Sequence, residues 1–345
     1  MVLSEFLPDT TPGHVVVVLV ATATIWFGST WLERSADRLS THYGLPAVVQ
    51  GSIVVAVGSS VPELASVVIT ATTGSFGMGV GAIVGSAIFN ILVIPALSGI
   101  ATSEALDVNR AIVYKEAQFY MIAVSALVIT FALAVIYYPV AGGGPLDGNV
   151  TRSLALVPLL VYGLYLFIQW QDVGDYEAAD AGGGVDLRRE WARLVAGLVT
   201  ILVAVELLVG AVKGLNATFG IPGFLAGVTV IAGATSLPDA LVSVRSAQSG
   251  SGETSLGNVF GSNTFDLLVA IPVGVLIAGT ASVSFAVATP MFGVLTLATV
   301  LLFAFLRTDL TLTDAESYAL LCAYLVFVGW VVGETVGVFD LVVGA

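Results

Sequence analysis

Apolar runs follow one another along almost the whole chain, separated by short polar breaks. A bilayer core about 30 Å thick is crossed by roughly 20 residues of helix. On that scale the pattern predicts ten spans, near residues 14–32, 45–73, 77–100, 117–139, 152–170, 192–214, 221–248, 254–279, 283–306 and 317–339. A long hydrophilic stretch, 171–191, falls after the fifth span. It holds Ala-Gly-Gly-Gly and six acids, and reads as a linker between an N-terminal half, 1–170, and a C-terminal half, 192–345. The expected fold is an all-α polytopic membrane protein of ten transmembrane helices.

Shifting the sequence by 176 positions lays the segment 43–92 on 219–268 without a gap. Sixteen of the fifty positions are identical, among them Gly44/Gly220, Pro46/Pro222, Ser60/Ser236, Pro62/Pro238, Gly85/Gly261, Ser86/Ser262 and Phe89/Phe265. Chance likeness between apolar stretches supplies scattered valines and alanines, not a register through proline, serine and glycine. The copies lie five predicted spans apart, and an odd offset turns the second copy upside down in the membrane. The halves therefore read as two inverted five-helix repeats, a transporter architecture that binds its substrate near the midplane between discontinuous helices of both halves.

Composition agrees with a lipid environment: 57% of the 345 residues are hydrophobic and only 10% charged. With two lysines and a net charge of −13, nucleic acid is not an expected partner, and no protein partner is evident. The single cysteine, Cys322, cannot form an intramolecular disulfide and reads as a small lipid- or core-facing residue. No basic residue precedes the first apolar run, so the start lacks a cleavable signal's charged region and the first helix is expected to stay. Nine of the eleven basic residues fall near odd-numbered connections: Arg34, Arg38, Arg110, Lys115, Arg188, Arg189, Arg193, Arg245 and Arg307. Arg152 and Lys213 fall on the other side. That bias places the 171–191 linker in the cytoplasm and both termini outside a plasma membrane.

Inside the copies stand polar groups that lipid would penalise: Glu63 matches Asp239, and Asn90 matches Asp266. A carboxylate near the bilayer centre costs at least about 2.5 kcal/mol, so these acids call for a ligand, a partner or water. Pro62 and Pro238 directly precede the acids, and a proline cannot bond the carbonyl four residues earlier, here Gly58 and Ala234. Backbone broken at membrane depth is tolerated where it lines a site. Around it stand Ser59, Ser60 and Ser86 in one copy and Thr235, Ser236, Ser262 and Asn263 in the other. An all-oxygen set favours hard cations over zinc or copper. Gly81, Gly85, Gly257 and Gly261 recur at four-residue spacing and would let helices approach closely enough to share one ion. Three acids, Glu63, Asp239 and Asp266, would be balanced by three Na⁺, or by one Ca²⁺ with a further monovalent ion, so exchange of several Na⁺ for one divalent ion is electrostatically sound.

At these residues the sequence resembles the cation/calcium exchanger superfamily, whose two repeats carry patterns similar to GSSVPEL with VGSAIFNIL and ATSLPDA with FGSNTFDLL. The resemblance implies a secondary active antiporter, exchanging Na⁺ for Ca²⁺ by alternating access. It implies no cofactor and no enzymatic activity. It makes Glu63 and Asp239 the principal Ca²⁺ ligands and assigns Ser60, Ser86, Ser236 and Ser262 to Na⁺. Asn90 and Asp266 would complete the centre, with Ser59 and Thr235 lending oxygens. Asn263 and Asp266 in GSNTFD are similar to the potassium-dependent branch, and K⁺ as a further coupling ion stays open. Proton-coupled relatives typically show Gly-Asn before their acid, where this chain has Ser-Ser-Val-Pro and Thr-Ser-Leu-Pro; H⁺/Ca²⁺ exchange is the alternative. A passive cation channel is the rival of another class, although channels usually take symmetry about the membrane normal. An intramembrane aspartyl hydrolase using Asp239 and Asp266 lacks its Gly-x-Gly-Asp signature. Glu206 is read as lining the cavity or pairing with Lys213, Glu334 and Asp340 as interfacial, and His14 and His42 as solvated residues flanking the first helix.

Overall fold

A computed structural model describes residues 7–44, 56–102, 105–110, 112–173 and 185–339. The chain is mostly helical. We label its helices α1 (Thr11–His42), α2 (Ala56–Ser59), α3 (Val61–Thr72), α4 (Phe76–Ile100), α5 (Val113–Tyr137), α6 (Arg152–Val173), α7 (Leu187–Phe219), α8 (Gly223–Thr235), α9 (Leu237–Gln248), α10 (Gly252–Ala278), α11 (Phe285–Arg307) and α12 (Asp314–Thr335). Among the described residues eight unbroken helices are long and apolar enough to cross a bilayer, and the bent pair α8–α9 makes a ninth. The tenth expected span, 45–73, lies partly outside the described residues, which show only α2 and α3 of it.

Two expected spans are broken rather than merely kinked. α2 and α3 meet at Ser60, and α8 and α9 meet at Ser236 with a bend of 45°. Pro62 and Pro238 are each the second residue of the helix that follows, where a missing N–H costs nothing. The break therefore falls two residues before the proline. Adding 176 to the bounds of α2 and α3 returns 232–235 and 237–248, the last four residues of α8 and the whole of α9.

α1 and α7 run past the predicted ends, to 32 and 33 residues. The continuous apolar run stops at Leu32, but Ser35 and Leu39 continue the buried stripe, and the helix goes on as an amphipathic one. α7 begins at Leu187, so the last residues assigned to the linker are helical, with Asp186 Oδ1 accepting from Arg189 N at 3.2 Å as the cap. The two helices lie antiparallel over their length. The His14 ring covers Gly214, a Cβ at Gly28 would meet Gly197 O at 3.1 Å and Ile201 Cγ1 at 2.9 Å, and Arg38 Nη1 bonds Glu190 Oε1 at 2.8 Å. Arg193 Nη1 at 2.9 Å and Ser35 Oγ at 3.0 Å complete the Glu190 cluster. His14 and His42 thus lie within α1, half-buried, and are not the solvated flanking residues expected.

The α1–α7 pair packs through Ala21, Ile25, Ile201, Val205 and Leu208 onto Ala65, Met78, Ala82 and Ile231 of the central helices. A larger core, containing Ile83, Ile88, Tyr120, Phe131, Phe260, Leu267 and Leu295, joins α3 through α6 to α9 through α12. Two short ribbons, which helical periodicity does not announce, tie the helix ends. Strands β1 (Leu106–Asp107) and β4 (Thr311–Leu312) pair antiparallel at one end of α5 and α11. β2 (Asp147–Thr151) and β3 (Thr280–Ser284) pair at the other, with Asp147 opposite Ser284 and Thr151 opposite Thr280. Cys322 is exposed on α12, which settles its reading as outward-facing.

Candidate cation centre

Close backbone approach brings the two copies together. A Cβ at Gly81 would collide with the carbonyl oxygen of Phe224, one at Gly85 with that of Val228, and one at Gly227 with that of Met78. α4 and α8 therefore touch main chain to main chain, as small residues at a membrane helix interface allow. The consequence reaches the polar residues one turn further along: Asn263 Nδ2 donates to Ala87 O at 3.2 Å, joining two positions that are themselves 176 apart.

Glu63 lies in the first turn of α3 and Asp239 in the first turn of α9, where unpaired peptide N–H groups favour negative charge. Both are fully buried, as are Asp266, Asn90, Ser59, Ser60, Ser86, Thr235, Ser236, Ser262 and Asn263. All eleven residues singled out from the sequence are thus enclosed in the protein interior. None of the three acids makes an ion pair with a basic side chain among the described residues. The charges acting most on Glu63 are Asp266 and Asp239. An unneutralised carboxylate in such a setting is costly, and a bound cation would offset that cost.

Asp239 is richly solvated by the protein. Oδ2 accepts from Asn90 Nδ2 at 3.1 Å, and Oδ1 accepts from Ser262 Oγ at 3.0 Å and from Asn258 Nδ2 at 3.5 Å. Asn90 Nδ2 also reaches Asn263 Oδ1 at 3.0 Å, while Ser59 Oγ lies 3.2 Å from Ser262 Oγ and donates to Asn258 Oδ1 at 3.5 Å. Glu63 is poorer. Oε1 accepts from Ser86 Oγ at 3.4 Å, the counterpart of the Ser262–Asp239 bond, and Ser236 Oγ donates to Ser86 at 2.7 Å. Among the described residues, Glu63 Oε2, Ser60 Oγ, Asn90 Oδ1 and both carboxyl oxygens of Asp266 are buried and make no hydrogen bond of good geometry. Buried polar oxygens are ordinarily satisfied, and a group of orphans around two acids is what a cation would complete. Thr235 Oγ1 is turned back on its own helix, donating to Ile231 O at 3.1 Å.

The copies differ where Asn90 faces Asp239 as an amide donor and its counterpart Asp266 is a third acid. Asp266 also opens a π-turn, Asp266–Ala270, whereas α4 continues as regular α-helix past Asn90. A second π-turn, Gly227–Ile231, lies within α8 where it passes α4. Such turns free or re-aim backbone groups and concentrate at functional sites. Among the described residues no three of His, Cys, Asp and Glu converge as a metal cluster by themselves. A cation here would draw most of its ligands from hydroxyl, amide and carbonyl oxygens, a chemistry suited to Na⁺ and Ca²⁺.

Asn258, which holds both Asp239 and, at 3.1 Å, Ser243 Oγ, is not among the eleven. Its counterpart is Ala82, so matching the copies passes over it; the available signal is an amide one helical turn before Ser262, on the same face of the helix. Of the weaker outliers, Lys213 Nζ donates to Thr73 Oγ1 at 2.9 Å and ties α7 to the end of α3. Glu334 accepts from Trp330 Nε1 at 2.9 Å, and Asp340 lies outside the described residues.

Comparison with known proteins gives one consistent answer. Residues 13–171 and 190–333 match the model of a family described as sodium/calcium exchanger protein. The chain is 28% identical over 261 residues to the uncharacterized membrane protein MJ0091 of Methanocaldococcus jannaschii, covering 75% of this chain and 80% of that one. It is 29% identical over 280 residues to the putative antiporter CaxA of Alkalimonas amylolytica, covering 76% and 82%. Among solved structures, the sodium-calcium exchanger NCX_Mj superposes with a TM-score of 0.64 at 22% identity, over 93% of this chain and 99% of the other, a likeness of fold.

Proposed function

The chain belongs to the sodium/calcium exchanger family of membrane antiporters, which are transporters and not enzymes, and from that premise we propose that it exchanges Na⁺ for Ca²⁺ by alternating access. The observation that carries the reading is the matched acid pair, Glu63 with Ser86 and Asp239 with Ser262, each acid 23 residues before its serine and each in the first turn after a break. Glu63 and Asp239 bind the Ca²⁺. Ser60, Ser86, Ser236 and Ser262 supply neutral oxygens for Na⁺, while Asn90, Asn263, Ser59 and Thr235 shape the centre. Asp266 is the third negative charge, and it selects the companion ion, Na⁺ or K⁺.

The halves, 1–170 and 192–345, act as inverted five-helix repeats joined by a cytoplasmic linker, with both termini outside a plasma membrane. The antiparallel α1–α7 pair supports this. Adding 176 to His14 and Arg38 gives positions 190 and 214, so the contacts His14–Gly214 and Arg38–Glu190 join the same two positions with the halves exchanged. A two-fold relation produces that pattern. Two faces of one site, each belonging to one half, are what alternating access requires.

Purified protein in vesicles, with Na⁺, K⁺ and H⁺ gradients varied independently, tests the proposal. Ca²⁺ uptake should follow an opposing Na⁺ gradient and vanish in Glu63→Gln and in Asp239→Asn. Uptake driven by a proton gradient alone would give the proton-coupled alternative. Uptake indifferent to any opposing gradient would give a channel.

A further inference from the structure

One acid of α1 belongs to neither the matched copies nor the α1–α7 interface. Glu33 has Val209 as its counterpart in the second half, so the repeat gives no reason for its presence. Its Oε1 is buried and, among the described residues, without a hydrogen-bond partner. The side chain lies against the broken helix: a Cβ on Gly58 would sit 3.8 Å from Glu33 Cγ and 3.3 Å from Leu32 Cδ2. Gly58 is the residue whose carbonyl Pro62 cannot bond, and it directly precedes Ser59 and Ser60 of the centre. The charges around Glu33 are Asp239, which repels it, and Arg245 on α9 and Arg34 beside it, which attract it. An orphaned buried oxygen thus belongs to a side chain that packs on the residue whose carbonyl loses its helical donor, where α1 crosses the break.

We propose that Glu33, with the Gly58 carbonyl, forms a second cation position, a way station between the buried centre and the membrane face on which α1 ends with Arg34 and Arg38. A hard cation such as Ca²⁺ or Na⁺ is the ligand, since both groups offer oxygen. Glu33 lies outside the Asp239 hydrogen-bond network, which makes it a staging site and not a member of the centre. The position rests on the exchange reading for its physiological use, but its existence as a binding site does not.

Two measurements on the full-length protein separate these levels. In the first, Ca²⁺ binding is measured by calorimetry on the Glu63→Gln/Asp239→Asn variant, whose central pair is gone. A residual weak site is expected, lost when Glu33→Gln is added and kept with Glu33→Asp. In the second, Ca²⁺ uptake is measured from each face in vesicles of known orientation. Glu33→Gln should raise the half-saturating Ca²⁺ concentration about tenfold on the Arg34/Arg38 face and leave the other within about twofold. Equal binding with and without Glu33→Gln, or equal shifts on both faces, would overturn the way station and leave Glu33 a protonated structural carboxyl, which glutamine mimics. If wild-type vesicles show no exchange, the proposed function fails, and the binding measurement still decides Glu33. A glutamine variant that does not fold is answered by the aspartate, whose shorter arm should bind Ca²⁺ more weakly than the parent.

Discussion

Asp239 and Glu63 share a position in the repeat, yet they are held differently, and the difference has a measurable consequence. Asp239 draws on donors from Asn90, Ser262 and Asn258, whereas Glu63 Oε2 has no partner among the described residues. In the ion-free state the Asp239 charge rests on those donors; with a cation bound, the ion takes over much of that task. Asn258→Ala removes one donor and should cost roughly 1–3 kcal/mol where nothing replaces it. The thermal midpoint in chelator should therefore fall further than the midpoint in saturating Ca²⁺, widening the Ca²⁺-induced shift. An equal fall in both conditions would mean that Asn258 only braces helices. Residues of this kind are hard to read from sequence. Glu63, Asp239, Asn90 and Asp266 declare themselves because an ionisable or amide side chain recurs at the matched position of an apolar repeat. Asn258 opposite Ala82 and Glu33 opposite Val209 have no such echo, and only their placement in space reveals them.

At the scale of helices, hydropathy windows place the spans, while proline patterns locate the breaks within them. Pro62 and Pro238 located the discontinuities to within two residues, because a proline is welcome only in a helix's first turn. The lengths of α1 and α7 were underread, since their ends turn amphipathic and are paired through Arg38, Arg193 and Glu190 rather than immersed. The β1–β4 and β2–β3 ribbons join segments roughly 200 and 130 residues apart, a pairing that no local pattern encodes. The glycines make a prediction of their own. Gly85 presses on the Val228 main chain, which cannot yield as a side-chain tip would, so Gly85→Ala should destabilise by about 1–3 kcal/mol through overpacking. Gly293, within α11, has open space where its Cβ would be, and Gly293→Ala should be neutral or stabilise by up to about 1 kcal/mol. Thermal unfolding in detergent distinguishes them, and equal midpoints for the two variants would refute close α4–α8 packing as a source of stability.

For the molecule as a whole, the proposed two-fold relation makes the third acid a movable part. Asn90 donates to Asp239 in one half, and its counterpart Asp266 acts as a like charge on Glu63 in the other. Asn90→Asp together with Asp266→Asn would carry that acid to the matching position of the other half, with the count of three preserved. Asn90→Asp alone gives four buried acids around one locus, and like carboxylates at close range oppose one another's ionisation. Asp266→Asn alone leaves two, matched by one Ca²⁺ with no remaining charge for a companion ion. If the halves are functionally equivalent, the exchanged variant should keep Ca²⁺ transport and the parent's dependence on membrane potential, because the charge carried per cycle follows the number of acids and not their address. The Asp266→Asn variant should then show an altered potential dependence, and Asn90→Asp should be the weakest transporter of the three. Flux measured at clamped potentials in vesicles reads all three cases. An exchanged variant as inactive as Asn90→Asp would show that the π-turn at 266–270, present in one half alone, makes that address unique. Asymmetry would then reside in the backbone as well as in the choice between amide and acid.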